Sequence, residues 1–283
     1  MCNSQYFKGR KAVIATKHGK ETVIGPLLEK EIGINYILIK GLDTDLLGTF
    51  SGEVERMDDP VTIMRKKCEM AIAASGLDLA IANEGSFGAH PSVFFAHADD
   101  ELIMLLDKKN NLEIIERELS IETNFDGKEV KNVEELVSFA QQVGFPSHGI
   151  ILKKSKNNFS VIIKESSTID ELIEHYHSIK NTDNTAYAET DMRAMKNPTR
   201  MKIIEKATAK LINKIKSECP QCKTPGFSVT DVVKGLACEA CGLPTKSTLK
   251  HIYSCQKCHF TTEKLYPFDK QKENPQYCDF CNP

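Results

Sequence analysis

Apolar and polar positions alternate along the first part of the chain as in an α/β protein. An apolar, β-prone run at 11–16 is followed by a polar turn and a helical pattern that continues through Lys30. Residues 34–39 and 77–82 repeat the strand pattern, with a predicted helix over 59–75 between them. This order is typical of a βαβ arrangement.

Shorter runs follow and change the expected sheet. Strands are predicted at 92–96, 102–106 and 112–115, the last preceded by a Lys-Asn-Asn turn. Tight turns of this kind join antiparallel neighbours, whereas βαβ units give parallel ones. We therefore predict a mixed central sheet flanked by helices.

The next segment has clear local signals. Asn132 is predicted to cap a helix, with Glu135 at the third position completing a capping box. A hairpin is predicted from 149–153 and 159–164, and Ser167 is expected to cap a second helix. These elements extend the predicted α/β region to residue 180.

A polar, aperiodic stretch at 181–190 is the best candidate for a linker. An amphipathic helix follows, with four lysines spread over its outer side, which we expect to be solvated. The predicted organisation is an α/β domain over 1–180, a linker and helix over 181–216, and a cysteine-rich region over 217–283. The apolar face of the helix consists of Ile204, Ala207, Leu211, Ile212 and Ile215.

The cysteine-rich region predicts two structural zinc ions. Eight of the ten cysteines form Cys-x-x-Cys pairs, whose two-residue gap lets both thiolates bind one ion. The spacing favours two consecutive zinc ribbons, made from the first and second pairs and from the third and fourth; crossed pairing, disulfides and a redox pair are the alternatives. Four thiolates per ion leave no place for a catalytic water. The pairs are Cys219 and Cys222, Cys238 and Cys241, Cys255 and Cys258, and Cys278 and Cys281.

The charge of the chain indicates which kinds of partner it can bind. The formal net charge is -2, and residues 217–283 carry eight lysines and seven acids. Because each zinc with four thiolates adds two negative charges, strong nucleic-acid binding is not expected, and a lid, a dimer contact or a protein-binding surface is the alternative. Without a signal core or a long apolar run, we expect a cytoplasmic protein that does not enter membranes. The oligomeric state is left open.

Three polar segments of the α/β region are candidates for chemistry. The Thr16–Glu21 turn offers backbone amides and the Lys20 amine to an anion, or is an ordinary turn. The acidic loop from Asp43 to Glu53 has oxygen ligands for Mg²⁺, or is solvated. The third segment, 83–88 with His90 beyond it, follows an apolar strand, where α/β sheets place ligands, and Glu84 there is costly to leave without a partner.

The order of these motifs over residues 11–107 resembles the inosine triphosphate pyrophosphatase-like family, which includes the Maf-like nucleotide hydrolases. Ala15–Lys20 is similar to the family's Ala-Thr-x-Asn-x-x-Lys motif, one residue shorter and with His18 in place of Asn. Lys66–Ala71 matches the family's Lys-bearing helix, and Ala82–Ser86 its acid-Gly step.

The resemblance implies a Mg²⁺-dependent hydrolase acting on a nucleotide or another phosphate ester. Glu84 and Glu53 would hold the metal and orient water, with Glu84 as the main catalytic carboxylate. The alternative is a zinc-stabilised module that binds a ligand, a protein or nucleic acid without turnover. Residues assigned to substrate and phosphate are Thr16, His18, Lys20, Lys66, Lys67, Ser86 and His90.

The whole chain also resembles a family known only as a domain of unknown function. The resemblance rests on segments 189–194 and 197–201 ahead of the cysteine pairs. Ion pairs that dock this part of the chain are the preferred interpretation of its charges, and completion of an anion site is the alternative. The charged residues are Glu189, Asp191, Arg193 and Arg200.

Overall fold

A computed structural model describes residues 6–42 and 58–283. The chain divides into two compact units. The α/β unit comprises residues 7–212, and the C-terminal unit comprises 213–283 together with Tyr6. The described helices are α1 (Glu21–Ile32), α2 (Pro60–Ser75), α3 (Val133–Val143), α4 (Ile169–Ile179) and α5 (Pro198–Lys216).

The larger sheet of the α/β unit is mixed, as predicted. Its order is β2-β1-β3-β4-β5, with β1 parallel to both neighbours and β3, β4 and β5 antiparallel. The apolar runs of β1 and β3 are buried at its centre, and α2 packs on one face. The strands are β1 (Lys11–Ala15), β2 (Asn35–Ile37), β3 (Leu79–Ala89), β4 (His97–Asp107) and β5 (Leu112–Ser120).

Two predictions about this sheet were wrong. The segment 83–88 does not follow the end of a strand, because β3 continues to Ala89 and pairs with β4 along its whole length. Residues 92–96 are not a strand but belong to the connection between β3 and β4. The His90 amide donates a hydrogen bond to the Ala96 carbonyl at 2.9 Å and closes this connection. The apolar residues within it, Phe94 and Phe95, are exposed to solvent.

A second, four-stranded sheet completes the α/β unit, in the order β6-β9-β7-β8. Its apolar side chains form one core with those of α3 and α4. The Asn132 cap is confirmed, since its Oδ1 accepts from the Glu135 amide at 2.8 Å, whereas α4 is capped by Thr168 rather than Ser167. The strands are β6 (Gly127–Val130), β7 (Ile150–Lys153), β8 (Ile162–Ile163) and β9 (Ala186–Thr190).

The proposed linker at 181–190 contains β9, which pairs with both β6 and β7. Its alternate residues are buried, so this polar stretch has a period of two that composition alone conceals. Helix α5 follows, and its predicted apolar face is buried. None of the described helices is long and apolar enough to cross a membrane.

The C-terminal unit is built on a three-stranded antiparallel sheet, β10-β11-β12. No residue of these strands is buried, and the apolar cluster of the unit includes few residues other than cysteines. The strands are β10 (Ser228–Lys234), β11 (Thr248–Ser254) and β12 (Thr261–Leu265).

Candidate functional site

The eight paired cysteines form two groups of four, but not the predicted ones. The first pair meets the third, and the second pair meets the fourth, so the consecutive pairing was wrong. We call these groups the first and the second thiol group. The first consists of Cys219, Cys222, Cys255 and Cys258, and the second of Cys238, Cys241, Cys278 and Cys281.

The strand directions explain the crossed pairing. The first pair precedes β10, and the third lies between β11 and β12, so both lie at one end of the antiparallel sheet. The second pair lies between β10 and β11, and the fourth follows β12, so both lie at the other end. Strand β10 has seven residues, which separate its ends by roughly 20 Å. Pairs that are consecutive in sequence therefore cannot share an ion.

Backbone hydrogen bonds shape each Cys-x-x-Cys turn. In every turn the amide that follows the second cysteine donates to the carbonyl of the first, at 2.8 to 3.1 Å. Three of these donors have positive φ, namely Lys223, Gly242 and His259. The turns thereby direct both thiols to one point, as a bidentate metal clamp requires.

The sulfur positions fit a metal ion. Sγ of Cys219 lies 3.7 Å from that of Cys258, and Sγ of Cys238 lies 3.9 Å from that of Cys281. Thiolates about 2.3 Å from one tetrahedral ion stand roughly 3.8 Å apart, whereas bonded sulfurs would be about 2.05 Å apart. Each group could therefore hold one ion, and a donor set of four thiolates is typical of zinc.

In the α/β unit, three of the predicted site residues lie close together. Lys20, Lys67 and Glu84 are all buried, although they come from the N-terminus of α1, from α2 and from β3. Lys67 forms an ion pair with Glu84 on the face of β3 that α2 covers. Glu84 thus stands inside a strand, with its charge balanced by a neighbouring helix.

Lys20 is held against the same strand. Its Nζ donates to the carbonyl oxygen of Asn83 at 3.2 Å. Burial, and then the nearby guanidinium of Arg200, lower the pKa of Lys20 to about 7. The carboxylates of Glu101 and Glu84 oppose that shift. The amine can therefore gain or lose a proton near neutral pH.

The other face of β3 carries a second buried ion pair. Arg200 Nε donates to Glu101 Oε1 at 2.6 Å, and neither side chain is exposed to solvent. Asn83 Nδ2 donates to Glu101 Oε2 at 2.9 Å. Burial opposes ionisation of Glu101, but Arg200 and Lys20 outweigh it and lower the pKa of this carboxyl.

Gly85 makes room for this pair. A Cβ at Gly85 would lie 2.4 Å from Glu101 Oε1 and 2.7 Å from Arg200 Nη2, so a larger residue cannot occupy the position unchanged. The guanidinium also lies over the Phe87 ring, with Cζ 5.1 Å from its centroid. Asn197 caps α5 by accepting from the Arg200 amide at 3.0 Å and so fixes the start of the helix that carries Arg200.

Asp99 adds a carboxyl group to the same face. It is fully buried, and neither of its oxygens has a hydrogen-bond partner within 3.5 Å among the described residues. Burial, followed by the neighbouring Glu101 carboxylate, raises the pKa of Asp99 to about 8. A neutral Asp99 is therefore the main form at pH 7.

Sequence reasoning missed Asp99 and Glu101, and it gave Asn83 no role although that residue opens the third candidate segment. Asp99 and Glu101 occupy alternate positions of β4 that continue into Ile103, which is buried. Charged residues at core-facing positions of a strand pattern are the signal that could have identified them.

The remaining predicted site residues are not part of the cluster of Lys20, Lys67 and Glu84. Lys66 is partly exposed and pairs with Asp58 at 2.5 Å, on a different side of α2 from Lys67. In the β3–β4 connection, Nδ1 of His90 accepts a hydrogen bond from the Ser92 amide. Ser86 lies on β3 two residues beyond Glu84, and Thr16 and His18 lie between β1 and α1. The loop from 43 to Glu53 falls outside the described residues.

The charged residues of 189–193 make local ion pairs. Arg193 Nη2 contacts Asp191 Oδ2 at 2.6 Å and Glu165 Oε1 at 3.0 Å. Glu189 pairs with the buried Lys153 at 2.8 Å. These contacts are those expected if the segment is docked by ion pairs.

Comparison with known families gives one match. The model of the family described as Domain of unknown function (DUF6671) matches residues 67–283. The chain belongs to this family. No curated protein matches the sequence.

The DUF6671 match includes most of both candidate sites. It spans all eight paired cysteines, together with Lys67, Glu84, Glu101 and Arg200, whereas Lys20 precedes the matched residues. The family description assigns no activity, so any function has to be argued from the geometry.

Proposed function

We propose that this DUF6671 protein binds a phosphorylated small molecule in its α/β unit and hydrolyses a phosphate ester, while its two thiol groups hold structural zinc. The observation that carries the hydrolase proposal is the cluster of Lys20, Lys67 and Glu84 around one strand. Helix α1 begins beside Lys20, so the positive end of its dipole adds to the attraction for an anion.

The chemical roles follow from charge and position. Lys20 and Lys67 supply cations to phosphate oxygens, and the Glu84 carboxylate accepts a proton from water. Substrate phosphate would compete with Glu84 for the Lys67 ammonium and free the carboxylate to act as a base. The Arg200–Glu101 pair holds the other face of the same strand rigid.

The candidate magnesium ligands are Glu84 and Glu53, and Glu53 lies outside the described residues. In the part of the chain that the structure describes, the two thiol groups are the sets of three or more possible ligands found close together. Glu84 is already paired with Lys67. We assign no step to Mg²⁺, which the family resemblance implies, and treat it as a variable of the assay.

The assay measures phosphate and pyrophosphate release from nucleoside triphosphates and sugar phosphates, with Mg²⁺, with Mn²⁺ and without either. Glu84→Gln should reduce turnover by roughly two or more orders of magnitude, because it keeps shape and removes the charge. Lys20→Ala should mainly raise KM. Glu129→Gln, at an exposed position of β6, is the matched control. A wild-type protein inert towards every substrate would refute the hydrolase.

A second candidate function is binding without turnover. Glu84 is only 3 % exposed and already paired with Lys67, which is what a purely structural acid requires. In that case Glu84→Gln lowers the melting temperature and leaves ligand affinity unchanged. Melting curves and turnover measured on one preparation separate the two functions.

The zinc proposal has its own test. Elemental analysis should give two zinc ions per chain, and fewer than about 1.5 would contradict it. A labile iron signal would point to iron chemistry instead. Cys238→Ser should remove one ion and loosen only the end of the sheet that carries the second thiol group.

A further inference from the structure

The two thiol groups differ in their exposure to solvent. In the first group, Cys219 and Cys255 are buried and the other two cysteines are partly buried. In the second group, Cys241 and Cys281 are exposed. Both groups have the same donors, so exposure is the main difference between them.

The surroundings account for this difference. Phe227 packs with Cys219 and Cys255, and Tyr253 and Phe260 pack against that cluster. The Phe227 and Tyr253 rings stack with centroids 5.9 Å apart. Next to cysteines of the second group, three large apolar side chains instead face solvent: Leu243, Tyr277 and Phe280 are 41, 60 and 73 % exposed.

We propose that Cys241 and Cys281 form a thiol-oxidation site that reacts with peroxides, so that the second thiol group releases its metal before the first. The proposal rests on zinc in both groups, as proposed above. Thiolate oxidation follows exposure, and a second thiolate must be near enough to resolve the product. All four sulfurs of the group lie within 4.8 Å of one another.

The chemistry balances with peroxide as the two-electron oxidant. One thiolate attacks a peroxide oxygen, the O–O bond breaks, hydroxide leaves, and a sulfenic acid forms. A second thiolate attacks that sulfur, the S–O bond breaks, a second hydroxide leaves, and the S–S bond forms. Both hydroxides take protons from the solvent. The disulfide takes two of the four thiolates, so the remaining two cysteines of the group would hold a Zn²⁺ ion only weakly, with no change in its oxidation state.

Loss of this ion would release a defined segment. Beyond β12 the chain returns to the second Cys-x-x-Cys turn, where the Glu239 amide donates to the Glu273 carbonyl and the Glu273 amide to the Ala237 carbonyl, at 2.9 and 2.8 Å. Residues 266–283 would lose their metal anchor, while the first thiol group keeps the other end of the sheet closed.

The test is zinc release from the intact, zinc-loaded protein under hydrogen peroxide, followed with a colorimetric chelator. The first equivalent should leave about tenfold faster than the second. Alkylation and mass spectrometry should then find disulfide only among the four cysteines of the second group. Equal release rates, or earlier oxidation of the first group, would overturn the proposal. Fewer than two zinc ions before oxidation would instead count against the zinc proposal itself.

Conservative variants provide the control. Cys281→His keeps a zinc-binding ligand and removes one exposed thiolate, so it should slow the fast phase severalfold while two zinc ions stay bound. Cys258→His makes the matched change in the first group and should leave the fast phase unchanged. If Cys258→His slowed the fast phase as much as Cys281→His does, the assignment to the second group would be wrong.

Discussion

The folds of the two units of this protein are stabilised by different interactions. The α/β unit has a continuous apolar core, and it buries two ion pairs and a neutral carboxyl group against one strand. The strands of the C-terminal unit contain no buried residue, and its apolar cluster is built around cysteines. Burial of apolar surface therefore supports the first unit, whereas we expect the second to depend on the metal proposed for its thiol groups.

Metal removal should have the largest effect. A strong chelator with a thiol reductant should unfold residues 217–283, because each structural zinc contributes about 10 kcal/mol or more of folding free energy. The α/β unit should keep its protection. Hydrogen exchange with and without chelator checks both, and loss of protection throughout the α/β unit would show that the contrast is false.

Removal of Arg200 should be the most damaging single change in the α/β unit. Arg200→Met leaves Glu101 buried without its cation, and we expect a loss of about 3–5 kcal/mol in the free energy of unfolding. Arg65→Met removes the partly exposed pair with Glu113 and should cost about 1 kcal/mol or less. Denaturant titrations measure both. Similar losses would mean that burial of the pair does not matter.

The pH dependence of stability should report on Asp99. Its folded pKa of about 8 lies above the usual value of about 3.9, so the native state keeps a proton that the unfolded chain loses. This stabilisation is complete below about pH 4 and is lost as the pH rises towards 8. Asp99→Asn should remove a fall whose slope is up to about 1.4 kcal/mol per pH unit inside that window.

Lys20 changes the stability with pH in the opposite direction, because its folded pKa of about 7 lies below the usual value for lysine. Its contribution makes stability rise with pH, but only from about 7 upwards. Unfolding titrations between pH 4 and 7 therefore exclude the Lys20 contribution, and the difference between wild type and Asp99→Asn reports on Asp99. An Asp99→Asn profile parallel to the wild-type profile would contradict the assignment.

A smaller effect should come from a single methyl group. Gly85→Ala places a Cβ against the Arg200–Glu101 pair and should cost about 1–2 kcal/mol. Gly88→Ala lies on the same strand, and its Cβ would meet nothing within 4 Å. Melting curves of the two variants test whether the Arg200–Glu101 pair is held rigidly. Equal melting temperatures would show that the two side chains move aside for the added methyl group.

Local features of this chain were predictable from its sequence. The Asn132 cap, the buried face of α5 and the mixed sheet all follow from signals within a few residues. The four Cys-x-x-Cys turns were equally evident, because two-residue spacing reflects metal geometry.

Features that depend on distant contacts were not predictable in the same way. Spacing between cysteine pairs does not encode strand direction, so it could not show which pairs share an end of the sheet. Glu101 and Arg200 are 99 positions apart, and only the folded sheet brings them together. Strand β9 was missed because its alternation is made from Ala, Tyr and Glu, which composition assigns to a polar segment.

The interleaving of the two thiol groups also constrains synthesis. A ribosome must deliver Cys255 and Cys258 before the first group can close, and Cys278 and Cys281 before the second. The segment closed by the first group overlaps that closed by the second, so no cut between residues 222 and 278 yields two intact halves. A nascent chain stopped near residue 250 would therefore present the four thiols of the first two cysteine pairs with neither thiol group complete.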